Sequence, residues 1–262
     1  MQNSPNSIKV ANSFARAKHT YRQNAIVQEK MRFVLVEMLK KYGQKHFGEV
    51  FEFGVGNGEF SEILQANFSY KIYIANDINP LQCLPNPNKS LPFKQAKNFT
   101  KLARFDSVEI FDMNDLQKQK IFQKRFDLIA SNACLQWLNA PQILTQLIQM
   151  LKPNALLCLS TFGEQNLREL AQISDISLEY LTLKDIEKIL RESLEILELK
   201  ESIETLDFGS SIDVFRHIKK SGANGLKTHQ NKLNKQLLSE YEKRFGGRIS
   251  YHPIYILAHK KT

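Results

Sequence analysis

Over residues 24–42 the apolar side chains Ile26, Val27, Met31, Val34, Leu35, Met38 and Leu39 recur at the spacing that lines one face of a helix. The pattern predicts an amphipathic helix there. Residues 49–53 then read as a short strand ending in glycines, and 60–68 return to helical spacing. A second strand is expected over 71–75, closed by Asn76-Asp77. The stretch 80–92, with four prolines, admits no long helix. Further strands are expected at 108–111 and 126–130. A helix over 143–151 should stop before Pro153-Asn154, and a fifth strand should cover 156–161.

From Gly163 onward the pattern loosens. Helices are expected at 183–194, 211–220 and 232–245, and strands at 194–205 and 254–259. Alternating strands and helices imply an α/β fold: a seven-stranded, mostly parallel sheet with helices on both faces and its ligand at the strands' carboxyl ends. A chain of 262 residues can form one such domain. It is expected to comprise N-terminal helices over 1–46, a ligand-binding core over 47–162, and a helical cover with the last strands over 163–262.

Composition narrows the function classes. Charged residues make up 24% and hydrophobic residues 42%, which disfavours disorder and fibrous architectures. The polar start lacks a signal-peptide core, and no apolar run approaches the roughly 20 residues of a membrane span. A cytoplasmic protein without a membrane partner is therefore expected. Cys83, Cys134 and Cys158 are odd in number and lack CxxC spacing, so neither a disulfide framework nor a metal site is expected. The net charge of +9 suggests an anionic partner, with nucleic acid, a membrane surface or an acidic protein as the classes to separate.

Candidate chemistry gathers at the strand ends. Gly54, Gly56 and Gly58 follow a strand and open a helix, where small residues permit a sharp turn and close backbone approach to a ligand. Glu59 gives the loop GxGxG spacing rather than the GxGxxG of dinucleotide binding, and no Gly-Lys-Ser/Thr of a phosphate loop follows. Glu52 would repel a diphosphate but can attract the ammonium end of a methionine moiety. Asp77, ending the second strand, is placed to accept from two ribose hydroxyls, and Asp112, ending the third, to accept from an adenine amino group. The three carboxylates favour a cationic nucleoside cofactor, S-adenosylmethionine.

At this point the sequence resembles the class I methyltransferases, and more narrowly the malonyl-acyl carrier protein O-methyltransferases of biotin synthesis. The likeness runs through Phe14-Ala15-Arg16-Ala17 with Tyr21, Ala25 and Gln28, and then through Phe126-Asp127-Leu128 with Ser131-Asn132 and Gln136-Trp137. It continues in Ser160-Thr161-Phe162-Gly163, His217-Ile218-Lys219, Gly222-Ala223-Asn224 and Tyr251-His252. Departures are a Gly-Val-Gly-Asn-Gly loop where Gly-Cys-Gly-Thr-Gly is usual, and a tail at 247–252 that keeps only part of the family's pattern.

The resemblance implies methyl transfer from S-adenosylmethionine to the free carboxylate of a malonyl thioester, with S-adenosylhomocysteine as product and an acidic acyl carrier protein as partner. It implies a Rossmann-like fold, no metal, and catalysis by alignment, because a carboxylate is already ionised at neutral pH. The cofactor would be held by Glu52, Gly54, Gly56, Gly58, Asp77, Ile78, Asp112, Met113 and Asn132, with Tyr21 and Gln28 closing over it. Arg16, Tyr21 and His252 are the candidates for meeting the substrate carboxylate, Arg16 favoured for its fixed charge. Trp137 is expected in the core. Arg168, Arg216, Lys219, Lys220 and Lys227 would form the docking patch for the carrier protein. Two readings stand beside this one: a methyltransferase of RNA or another small metabolite, and a cofactor-binding regulator or assembly factor without catalysis. Nucleic acid is the less expected partner, since no basic run interleaved with aromatics marks an RNA track.

Overall fold

The computed structural model describes residues 6–80, 103–173, 178–222 and 235–261. Two helices come first, α1 (Ser7–Asn24) and α2 (Ile26–Lys41), broken at Ala25, whose ψ of 51° is not helical. The expected helix over 24–42 is thus α2, with a separate helix ahead of it. There follow β1 (His46–Phe53), α3 (Glu59–Asn67), β2 (Ser69–Asp77) and β3 (Ser107–Ile110). Between β3 and β4 (Phe126–Ser131) the chain makes only two short 3-10 segments. Next come α4 (Ala140–Gln149), β5 (Leu151–Phe162), α5 (Arg168–Ala171), α6 (Leu183–Arg191), β6 (Leu194–Glu201), β7 (Glu204–Asp207), α7 (Ser211–Lys220), α8 (Lys235–Phe245), β8 (Arg248–Tyr251) and β9 (Pro253–Lys260).

Seven strands form the main sheet in the order β3-β2-β1-β4-β5-β9-β6. β9 runs antiparallel to both neighbours, and the other pairs are parallel. Successive strand residues pack on opposite faces: Val50, Tyr73, Leu128 and Cys158 on one, Phe51, Ile74, Ile129 and Leu157 on the other. The first face carries α2 through Met31, Leu35 and Leu39, and α3 through Phe60 and Leu64. The second carries α4 through Ile143 and Leu147, and α6 through Ile186 and Leu190. Burial on both faces explains why these strands read as nearly continuous apolar runs.

Three expectations need correction. The strand over 194–205 is two strands: β6 joins the main sheet, while β7 pairs with β8 in a separate ribbon. Ser202 N–H donates to Pro253 O at the break, and β8 itself was not anticipated. The fifth strand begins at Leu151 rather than 156. Pro153 and Asn154, the latter at φ 61°, are absorbed in an irregularity of the β4–β5 register instead of separating the strand from α4. The helix before it starts earlier, at Ala140, with Pro141 in its first turn, where a missing N–H costs nothing. Most of the proline-rich stretch and the start of the expected helix at 232 lie outside the described residues.

Candidate active site

The chain leaves β1 outward to β2 and β3, then returns to β4 on the other side of β1, so a crevice opens at the carboxyl ends of β1 and β4. Ser131 Oγ donates to Phe53 O at 2.8 Å and ties these two ends together. Gly54 turns away at φ 64°, and a Cβ there would lie 2.4 Å from Cys134 Sγ. Gly56 also has positive φ, 58°, but a Cβ there would meet nothing within 4 Å. Its open side faces a cavity of about 250 Å³. The loop's shape is held by Val55 N–H donating to Asn76 O and by Gly56 N–H donating to Asp77 Oδ2 at 2.8 Å.

Carboxylates dominate this cavity. Asp77 also accepts from Asn79 N–H through Oδ1, and burial raises its pKa against backbone hydrogen bonds from Asn79, Gly56 and Ile78. Glu52 is 1% exposed and accepts from the Tyr73 hydroxyl. Burial pushes its pKa up to about 7, partly offset by hydroxyl hydrogen bonds. Asp112 caps the first 3-10 segment through Oδ1, which accepts from Asn114. Ile78 and Met113 line the same space. Asn132 is fixed at both ends, its amide donating to Gln28 O at 3.1 Å and its carbonyl accepting from Ser160 Oγ at 2.7 Å.

α1 lies across the strand ends. Asn57 donates to Lys18 O and Asn79 to Ala11 O, fastening the helix over the cavity, which Phe14 and Tyr21 help to line. Burial raises the Tyr21 pKa well above its usual value, so the phenol is protonated at neutral pH. A second cavity of about 30 Å³ shares Phe14, Tyr21, Ala133 and Trp137 with the first. The Gln28 side chain lines this one and not the larger. Trp137, 9% exposed, stands between the two and meets Phe14 edge to face at 5.5 Å.

Arg16 and His252 line neither cavity. Arg16 is exposed on α1, its Nε donating to Asn12 O. His252 is buried between β8 and β9. Its Nδ1 accepts from Gln165 N–H at 3.1 Å, which leaves Nε2 to donate to Glu201 at 2.9 Å. Both ring nitrogens therefore serve the fold, as does Gly163, where a Cβ would meet the imidazole at 2.6 Å. Neither residue reaches the cavities lined by the described residues. Arg168, Arg216, Lys219 and Lys220 are exposed, the last two at the end of α7 next to Ser221 of the second cavity. Lys227 lies outside the described residues.

The sequence reading missed a buried ion pair. Arg32 Nη1 donates to Glu59 Oε2 at 2.9 Å, both side chains over nine-tenths buried and both lining the larger cavity. A signal existed: Arg32 interrupts the apolar face of α2, and an arginine among buried positions implies a buried partner. Cys134, which fits against Gly54, was also missed. Burial lifts its thiol far above the usual range, so it is no thiolate.

Fold and site define a class I methyltransferase. The family described as "Methyltransferase domain" matches residues 20–193. A protein of Calditerrivibrio nitroreducens named malonyl-[acyl-carrier protein] O-methyltransferase is 29% identical over 95% of this chain and 95% of its own. One of Haemophilus influenzae with the same name is 30% identical over 95% of this chain and 93% of its own. Among solved structures, 1,6-didemethyltoxoflavin-N1-methyltransferase of Burkholderia thailandensis, with bound S-adenosylhomocysteine, superposes at a TM-score of 0.53. It is 13% identical, covering 98% of this chain and 89% of that one. The chain belongs to the methyltransferase family, in the branch formed by the malonyl-[acyl-carrier protein] O-methyltransferases.

Proposed function

We propose that this protein transfers a methyl group from S-adenosylmethionine to the free carboxylate of a malonyl thioester carried by acyl carrier protein, an early step of biotin synthesis. The observation that carries the reading is the end-to-end match to relatives of that name, joined to a cavity whose donors and acceptors suit the cofactor. Asp77 would take the ribose hydroxyls, Asp112 the adenine amino group between Ile78 and Met113, and Glu52 the ammonium. Gly54, Gly56 and Gly58 would let the backbone of the loop approach the cofactor closely. Arg32, beside Glu59, adds a cation for the methionine carboxylate, and Asn132 and Tyr21 close the methyl end.

When bound, the cofactor would supply a methyl on a sulfonium, whose transfer to an acceptor carboxylate oxygen would form the C–O bond as the C–S bond breaks, leaving that electron pair on sulfur and moving no proton. The protein's task is accordingly to align the two partners and keep water out, which α1 does by covering the strand ends. Docking of the carrier would lean on Arg168, Arg216, Lys219 and Lys220, with Lys227 beyond the described residues. Among the described residues no helix is long and apolar enough to cross a membrane, and we assign the protein to the cytoplasm. Incubation of the purified protein with labelled S-adenosylmethionine and malonyl-acyl carrier protein should yield the methyl ester by mass spectrometry. Its absence, with cofactor binding intact, would leave the non-catalytic reading.

A further inference from the structure

The second cavity has a property that the larger one lacks: among the described residues no charged side chain lines it. Its volume of about 30 Å³ accommodates a group the size of a carboxylate, not a thioester arm. Most of its polar atoms are already committed. Gln136 donates to Ala133 O and accepts from Thr161, Ser221 donates to Ile218 O, and the Tyr251 hydroxyl is shared with His217 Nε2 at 2.8 Å.

Tyr180 differs. The Asn166 carbonyl oxygen accepts from His252 N–H at 3.3 Å, which fixes the amide's orientation, and its Nδ2 then donates to the Tyr180 hydroxyl at 2.8 Å. The Tyr180 oxygen is therefore an acceptor there, and its own proton has no acceptor among the described residues. His252, which does not reach the cavity, thus bears on it from behind, through its backbone N–H and Asn166. Burial raises the Tyr180 pKa, so the proton stays in place through neutral pH. Tyr21, whose hydroxyl has no partner among the described residues, the Gln28 amide and the buried, unpaired Trp137 Nε1–H are further available donors.

We propose that this cavity, whose described lining is uncharged, is the acceptor pocket and that Tyr180, oriented by Asn166, donates a hydrogen bond to the acceptor's carboxylate. The assignment rests on the reading of the acceptor as a carboxylate. Its chemical logic is that the reaction consumes charge: an anion and a sulfonium become two neutral products. A lysine or arginine on the carboxylate would stabilise the charged ground state more than the transition state and slow transfer, whereas neutral donors position the anion and leave the sulfonium as its nearest cation. Arg16, exposed and outside the pocket, is consistent with this economy of charge.

The test uses the full chain with malonyl-pantetheine, and acetyl-pantetheine as the probe lacking the carboxylate. Tyr180→Phe should raise KM for malonyl-pantetheine by about 10- to 100-fold, the scale of one hydrogen bond to a charged group, with kcat nearly unchanged. Asn166→Asp keeps an acceptor for His252 N–H but takes the Tyr180 proton for itself, and should raise KM likewise in a folded protein. It decides the matter if Tyr180→Phe fails to fold. Trp137, the chain's only tryptophan, lines the same pocket and reports occupancy without turnover. In protein loaded with S-adenosylhomocysteine, its emission should distinguish malonyl- from acetyl-pantetheine, and both variants should erase the distinction. An unchanged KM and retained discrimination in a folded variant would overturn the assignment even if the wild type makes the ester. Discrimination without any ester would support the pocket and sink the malonyl methylation reading, and no discrimination in the wild type would overturn the pocket.

Discussion

The two cavities that meet at Phe14, Tyr21, Ala133 and Trp137 are built on opposite electrostatic plans. The larger gathers Glu52, Glu59, Asp77 and Asp112 against Lys18 and Arg32, while the smaller is lined by no charged side chain among the described residues. Charged groups suit a ligand that arrives and leaves with its zwitterionic methionine end and its ribose unchanged, because their interactions are not lost during the reaction. A neutral pocket suits the group whose charge disappears. The contrast places binding on one side of Trp137 and selection of the reacting anion on the other.

The largest effect expected on the charged side comes from Gly56→Val. A Cβ there would meet no protein atom within 4 Å, and the branched side chain would project into the cofactor's space, so Kd for S-adenosylmethionine should rise by about 100-fold or more. The cost to the fold is confined to backbone strain of roughly 1–3 kcal/mol. Calorimetry and a thermal melt separate the two, and retained affinity would reduce the loop to a turn.

Next comes pH. Glu52 has its folded pKa raised from 4.5 to about 7, so the folded protein holds a proton that the unfolded chain releases. The stability that Glu52 contributes is full below pH 4.5 and is lost as pH rises toward about 7, by up to about 3 kcal/mol, a loss that Glu52→Gln should remove. Binding of the cofactor's ammonium favours the ionised form. Affinity should therefore rise with pH up to about 7, and binding near pH 6 should release protons in the wild type but not in Glu52→Gln. Buffer-dependent calorimetry reads this, and a flat profile would detach Glu52 from the ammonium.

On the acceptor side the effects are smaller and selective. Lys219→Glu with Lys220→Glu should lower kcat/KM for malonyl-acyl carrier protein by roughly 10-fold and flatten its salt dependence, because rim charges act on association and are screened. A small malonyl thioester should be unaffected. Equal loss on both substrates would mean that these residues support the fold. Smallest of all, Arg16→Ala should change KM for the small thioester by less than about twofold, as expected of an exposed side chain. A large rise would restore a cation to the acceptor site and break the contrast between the cavities.

What could be read in advance divides along the same line. The alternating strands and helices, and the carboxylates at the ends of β1 and β2, are local signals: periodicity, a glycine loop and a fixed distance along the chain place them without knowledge of anything remote. Such local signals were enough for the fold class and for several residues that face the larger cavity, Gly54, Gly56 and Asp77 among them, but not for Arg32, Glu59 or Cys134. The smaller cavity draws on α1, the turn after β4, the segment between β5 and α6, the end of α7, and β8. No spacing rule relates these segments, because each is brought in by burial of a different apolar face. Whether Tyr180 has a spare proton depends on which way the Asn166 amide points, and that depends on a backbone N–H at His252, far away in the chain. His252 itself looked chemical in the sequence and became structural once Gln165 and Glu201 occupied its two nitrogens. Only the tertiary structure could decide such matters, since hydrogen-bond capacity belongs to the residue but its expenditure is settled by the neighbours the fold supplies.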